Sequence, residues 1–94
     1  MPEPKSHGQR LAGKTAIITG AGTEGDGIGI GRAIALVLAA EGARVCCADL
    51  DRDRAEATAA QVIERGGQAF ASSADVSNAE DCARIVTEAV DRFG

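Results

Sequence analysis

The chain has no tyrosine, no tryptophan and only two phenylalanines among its 94 residues. Its core must therefore be built from small and branched aliphatic side chains, and it has few rings on which bases could stack. Acidic residues outnumber basic ones, 14 to 10, for a formal charge of −4. That leaves no basic surface for a phosphate backbone and excludes nucleic acid as a partner class. No apolar run approaches the roughly 20 residues needed to cross a bilayer, and Met1 to Gln9 lacks the apolar segment of a secretory signal. The expectation is a cytoplasmic protein that does not engage membranes.

Three cysteines form neither a disulfide framework nor a metal-ligand spacing. Cys46 and Cys47 are adjacent on a predicted strand and so point to opposite faces, while Cys82 falls on the apolar stripe of a predicted helix. All three read as small buried hydrophobes in a reducing compartment. The single histidine, His7, stands alone in a polar lead-in, and no metal is expected.

What the chain does have is a threefold alternation of strand and helix. Residues 1–10 read as a disordered tail and 11–94 as one domain. Lys14–Gly20 is rich in β-branched residues and predicts the first strand. From Gly29 to about Ala40, Ile30, Ala33, Ile34, Val37 and Leu38 share one helical face, and Gly42 ends the helix. Arg44–Asp49 is the second strand. Asp51 is placed to cap a second helix that runs to about Arg65 and stops at Gly66-Gly67.

Gln68–Ala74 predicts a third strand. Ser77, with Glu80 three residues on, forms the signature of a capping box for a third helix. Cys82, Ile85, Val86, Ala89, Val90 and Phe93 make a continuous apolar stripe along it. Strands separated by helices imply a parallel sheet with right-handed crossovers in the order 3-2-1, the first two helices on one face and the third on the other. The predicted class is α/β, βαβαβα, the N-terminal half of a doubly wound sheet and incomplete. Strand 1, Thr15-Ala16-Ile17-Ile18-Thr19, is left as an apolar edge without charge, proline or bulge.

The segment between strand 1 and helix 1 carries the chemistry. Thr19-Gly20-Ala21-Gly22 begins it and Gly29-Ile30-Gly31-Arg32-Ala33 opens the helix; Asp49 follows Gly31 by 18 residues, at the end of strand 2. A helix N-terminus offers unpaired N–H groups and a partial positive charge to a pyrophosphate. Glycine lets the backbone approach it, and an acid at the end of the next strand accepts hydrogen bonds from ribose hydroxyls. This is a dinucleotide site of Rossmann type. A P-loop is excluded because no Gly-Lys-Ser or Gly-Lys-Thr follows the turn. A methyltransferase-type turn would carry an acid before its first glycine, where this chain has Ile17-Ile18-Thr19. Asp49 would repel a 2′-phosphate; Leu50 next to it is no arginine, and residues 21–28 hold no Lys or Arg. NAD is therefore expected over NADP.

These residues resemble the short-chain dehydrogenase/reductase family, whose turn reads T-G-x-x-x-G-x-G. The likeness runs from Leu11 to Gly94 and includes Leu11-Ala12-Gly13-Lys14-Thr15-Ala16, Glu41-Gly42-Ala43-Arg44-Val45 and Ala74-Asp75-Val76. It departs in one place: eight residues, not three, separate Gly20 from Gly29, so the match is made from the helix side through Gly29, Ile30 and Gly31. Glu24 and Asp26 in that longer loop are expected to face solvent, as a surface insertion.

The resemblance implies cofactor contacts from Gly20, Gly29, Ile30, Gly31, Asp49 and Leu50, with Asp75 and Val76 meeting the adenine. It also implies hydride transfer to or from an alcohol or carbonyl by a tyrosine–lysine pair with a serine and an asparagine, in an enzyme that is usually a homo-oligomer. None of those catalytic positions is found here, and Ser72, Ser73 and Ser77 read as strand and cap residues, so no catalytic residue is assigned. The expectation is the cofactor-binding part of such an oxidoreductase, inactive by itself and meeting its substrate only in a full-length form. The alternative is a stand-alone nucleotide-binding module.

Overall fold

The computed structural model describes residues 10–20 and 29–94. The lead-in before Arg10 and the loop 21–28, with Glu24 and Asp26, lie outside the described residues. The elements are β1 (Thr15–Thr19), α1 (Ile30–Ala40), β2 (Arg44–Asp49), α2 (Arg52–Glu64), β3 (Gln68–Ser73) and α3 (Ala79–Phe93). The strands are parallel and ordered β1-β2-β3, with Thr15 beside Arg44 and Arg44 beside Gln68, so all three start and finish in step. The expected 3-2-1 order and α/β class are thus observed.

Strand alternation divides the core in two. Val45 and Cys47 point to the side of α1 and α2, where they meet Ala35, Ala43 and Ala59 with Ile18, Leu38 and Ala39 beside them. Cys46 and Ala48 point the other way and pack with Phe70, Ala74, Ile85 and Ala89 under α3. Residues 45–48 of β2 are fully buried, as expected for a central parallel strand covered on both faces. Burial pushes the Cys46 thiol up to about 12, helped by Cys47 and Glu88, and the Cys47 thiol up to about 11 against the pull of Arg32. Both stay protonated near neutrality and are packing groups rather than nucleophiles.

Both crossovers from helix to strand close the same way. Ala43 N–H donates to Leu38 O and Gly42 N–H to Ala39 O; Gly67 N–H donates to Val62 O and Gly66 N–H to Ile63 O. These are paired Schellman turns with Gly42 and Gly66 at positive φ. Gly67 is required for a different reason: a Cβ there would lie 2.8 Å from Val62 Cγ1, 3.2 Å from Val62 O and 3.3 Å from Ala39 Cβ. Glu41, a buried acid at the unfavourable C-terminal end of α1, is met by Arg10, whose Nε and Nη2 reach its two carboxylate oxygens at 3.0 Å each.

Three expectations are corrected. Only part of the apolar face of α1 read from its sequence meets the core: Leu38 packs there beside buried Ala35, while Ile30 is 81% exposed and Ile34 and Val37 are exposed too. The helix is apolar nearly all round, so periodicity could not select the side that meets β2. Only part of the α3 stripe is covered: Ile85 and Ala89 are buried, but Val86 and Val90 are more than half exposed. Finally, α3 is capped by Asn78, which accepts from Glu80 N–H at 2.8 Å and Asp81 N–H at 3.2 Å. Ser77 does not cap; its N–H and hydroxyl both donate to Asp75 Oδ1.

Candidate functional site

α1 runs back along the sheet and delivers its C-terminus to the start of β2. At 1.5 Å per residue, its eleven residues bring Gly29 to the opposite edge, where the strands finish. Gly20 leaves β1 there, Asp49 and Leu50 end β2, and Asp75 and Val76 follow β3. The fold therefore gathers every sequence-predicted site residue along one edge of the sheet. Gly20 has φ +63, a left-handed conformation that other residues reach only with strain.

The three helix N-termini at this edge differ. Asp51 caps α2, accepting from Asp53 N–H at 3.0 Å and Arg54 N–H at 3.3 Å, and Asp53 sits in the first turn. Asn78 caps α3, with Glu80 and Asp81 in its first turn. α1 begins at Gly29, with φ −70 and ψ 151; among the described residues no side chain caps it and no acid lies in its first turn. A helix N-terminus, with its N–H groups and partial positive charge, suits a phosphate. Arg32 in that turn is turned aside, its Nε donating to Thr58 Oγ1 at 2.9 Å.

Asp49 Oδ1 accepts from Asp51 N–H at 2.9 Å, which sets the orientation of the carboxylate. The nearby arginines have partners of their own: Arg52 pairs with Glu56 at 3.0 Å and Arg54 with Asp51 at 3.4 Å. Leu50 is 73% exposed, and its carbonyl accepts from Ser73 Oγ. At the third position, Ser77 holds the Asp75 carboxyl below the usual carboxylate range through its hydroxyl and its N–H. Asp75 N–H donates to Asp81 Oδ2 at 2.9 Å, and Val76 is half exposed. Asp81 and its neighbour Arg84 were missed in the sequence. The signal available there was the spacing of Asp81, Arg84 and Glu88, which reads as ordinary surface pairing.

Ser72, excluded as a nucleophile from sequence, is buried and donates to Glu88 Oε1 at 3.1 Å. Among the described residues no group of three His, Cys, Asp or Glu is placed to hold a metal ion. No described helix is long and apolar enough to cross a membrane. A cavity of about 750 Å³ opens at the far edge, between the C-terminal ends of α1 and α2, and is lined by no acid, histidine or cysteine; it brings no chemistry to the strand ends.

The model of the short chain dehydrogenase family matches residues 14–94. The chain belongs to this family. Among short chain dehydrogenases it is 38% identical over 85 residues to the 7α-hydroxysteroid dehydrogenase of Escherichia coli strain K12, covering 90% of this chain and 31% of that protein. It is 45% identical over 85 residues to the sorbitol dehydrogenase of Cereibacter sphaeroides, with 90% and 30% covered. A solved 7α-hydroxysteroid dehydrogenase in complex with NADH and 7-oxo glycochenodeoxycholic acid superposes with a TM-score of 0.82 at 37% identity, over 92% of this chain and 32% of that one. The chain spans about a third of the length of the short chain dehydrogenases it matches.

Proposed function

We propose that residues 11–94 are the dinucleotide-binding part of an NAD-dependent oxidoreductase acting on an alcohol or carbonyl substrate. The observation that carries this reading is the N-terminus of α1, which among the described residues has no capping side chain and no acid in its first turn, at the same edge as Asp49 and Asp75. The pyrophosphate would lie against Gly29, Ile30 and Gly31 near Gly20, the adenosine ribose against Asp49 with Leu50 beside it, and the adenine against Asp75 and Val76. When bound, the nicotinamide accepts or supplies hydride. This chain's residues bind and orient; with no tyrosine in the sequence, we assign it no proton-transfer residue and expect no turnover from it by itself. Its three free cysteines fit a reducing, cytoplasmic setting.

The preference for NAD rests on Asp49. A carboxylate that can accept from ribose hydroxyls repels a 2′-phosphate, and the flanking Arg52 and Arg54 are engaged with Glu56 and Asp51. Titration of the native protein with NADH and NADPH tests it. NADH is expected to bind at least about tenfold tighter, a difference of about 1.4 kcal/mol. Asp49→Ser combined with Leu50→Arg should narrow or reverse the gap. Equal affinities in the wild type would overturn the preference; binding of neither would overturn the site.

A further inference from the structure

The segment 72–76 leaves β3 for α3, and it is held mainly by the helix it enters. Arg84 Nη2 donates to Ser73 O at 2.6 Å, and Nη1 donates to Ser72 Oγ at 3.1 Å and to Glu88 Oε1 at 2.6 Å. Asp81 Oδ2 takes Asp75 N–H at 2.9 Å, while its Oδ1 faces Arg84 Nη2 at 3.9 Å. Further ties are Ala74 N–H to Asp49 O and Asn78 N–H to Asp75 O, both at 3.0 Å, Ser73 Oγ to Leu50 O and Cys82 Sγ to Val76 O, both at 3.3 Å, and Ser77 N–H and hydroxyl to Asp75 Oδ1. The spacing of Asp81, Arg84 and Glu88 along α3 suggests surface ion pairs, which contribute little. Their geometry departs from that reading. The guanidinium reaches off its own helix to the last carbonyl of a strand and to a serine that is 2% exposed, and the carboxylate is spent on the main chain of Asp75. Charge-assisted bonds to main-chain groups are the stronger kind and are directional.

We propose that Arg84 and Asp81 are positioning residues for the adenine side of the dinucleotide site, fixing the path of residues 73–76 so that Asp75 and Val76 are presented to the base. The proposal rests on the dinucleotide reading above. Neither residue touches the cofactor; Arg84 acts through the Ser73 carbonyl, and Asp81 through the Asp75 N–H. The Asp75 carboxylate makes its own local turn through Oδ1 with Ser77, and Asp81 and Arg84 tie that turn to α3.

The test uses the native protein with two probes, AMP for the adenine side and nicotinamide mononucleotide for the other. Asp81→Ala and Arg84→Ala are each expected to weaken AMP on the order of tenfold, the scale of one lost charge-assisted hydrogen bond. The dissociation constant for NADH should rise in parallel, while nicotinamide mononucleotide affinity stays within about twofold. Asp81→Asn keeps an acceptor for the Asp75 N–H and should restore AMP binding. Arg84→Lys, which keeps the charge but loses the fork, should give an intermediate loss of about threefold. These two conservative variants decide the matter if the alanine variants fail to fold. Unchanged AMP affinity in both alanine variants, or an equal fall for both probes, would overturn the proposal. A wild type that binds neither AMP nor NAD would instead overturn the dinucleotide reading beneath it.

Discussion

The two edges of the sheet are made from the same strands and helices, yet they close by different means. At the amino edge the main chain makes most of the closure: two Schellman turns return the ends of α1 and α2 to β2 and β3, and Gly67 packs its backbone against Val62 and Ala39, with Arg10 on Glu41 and Arg44 on the Gly13 carbonyl as side-chain ties. At the carboxyl edge side chains make the connections. Asp49, Asp51, Asp75, Asn78 and Asp81 each accept from a main-chain N–H, and α1 alone among the three helices begins without a cap among the described residues. An edge that closes on its own backbone has little left to offer a ligand. One that closes on side chains can hold loops in register and still direct a helix N-terminus outward.

The sharpest way to separate the two edges is to damage the amino edge alone. Gly67→Ala adds a methyl 2.8 Å from Val62 Cγ1 and 3.2 Å from the Val62 carbonyl, where the helix and the turn must both move. The expected cost is about 1–3 kcal/mol, a fall of several degrees in the melting temperature, with NADH affinity per folded molecule unchanged. An unchanged melting temperature would show that the contact relaxes at no cost; a selective loss of NADH binding would show that the edges are coupled.

The converse experiment gives α1 the cap its neighbours have. Gly29 has extended backbone angles that aspartate adopts without strain, so Gly29→Asp should cap the helix and gain a few tenths of a kcal/mol. The same carboxylate would face the pyrophosphate, and NADH binding should fall on the order of tenfold. A more stable protein that binds less well is the outcome that sustains the comparison. Stabilisation with unaltered binding would remove α1 from the phosphate site.

What could be read in advance follows the same division. The strand and helix limits were legible to within a residue or two, because Gly42, Gly66 and Gly67 mark the turns at the amino edge and β2 is continuously apolar from Val45 to Ala48. Asp49 and Asp51 were legible because each acts close by along the chain. The face of α1 was not, since Ile30, Ile34 and Val37 are as apolar as Ala35 and Leu38, and only the position of β2 decides between them. The grip of Arg84 on Ser72 and Ser73 was not either: it joins a helix to a strand, and nothing in the i, i+3, i+4 pattern of charges says that an arginine will reach across. The α3 cap was misplaced by one residue because Ser77 and Asn78 are both good caps, and Asp75 draws the serine away.

That last competition can be measured, and its effects are the smallest. Asn78→Ala should cost about 1 kcal/mol through the lost cap, whereas Ser77→Ala should leave α3 intact and act on Asp75. The Ser77 hydroxyl and N–H together hold the Asp75 carboxyl below its ordinary range. A group whose folded value is depressed adds stability that is present above the unfolded value and is lost as pH falls through the folded one. In the wild type that loss belongs to the acid limb, below roughly pH 4, and it is slight because Asp75 is exposed. Removing the hydroxyl takes away the larger of the two donors, so the Asp75 midpoint, followed by carboxyl carbon chemical shifts, should move up toward the ordinary value without reaching it. A midpoint that does not move would mean the N–H of residue 77 holds the carboxylate unaided, and that the serine is drawn from its cap position by the turn itself and not by its side chain.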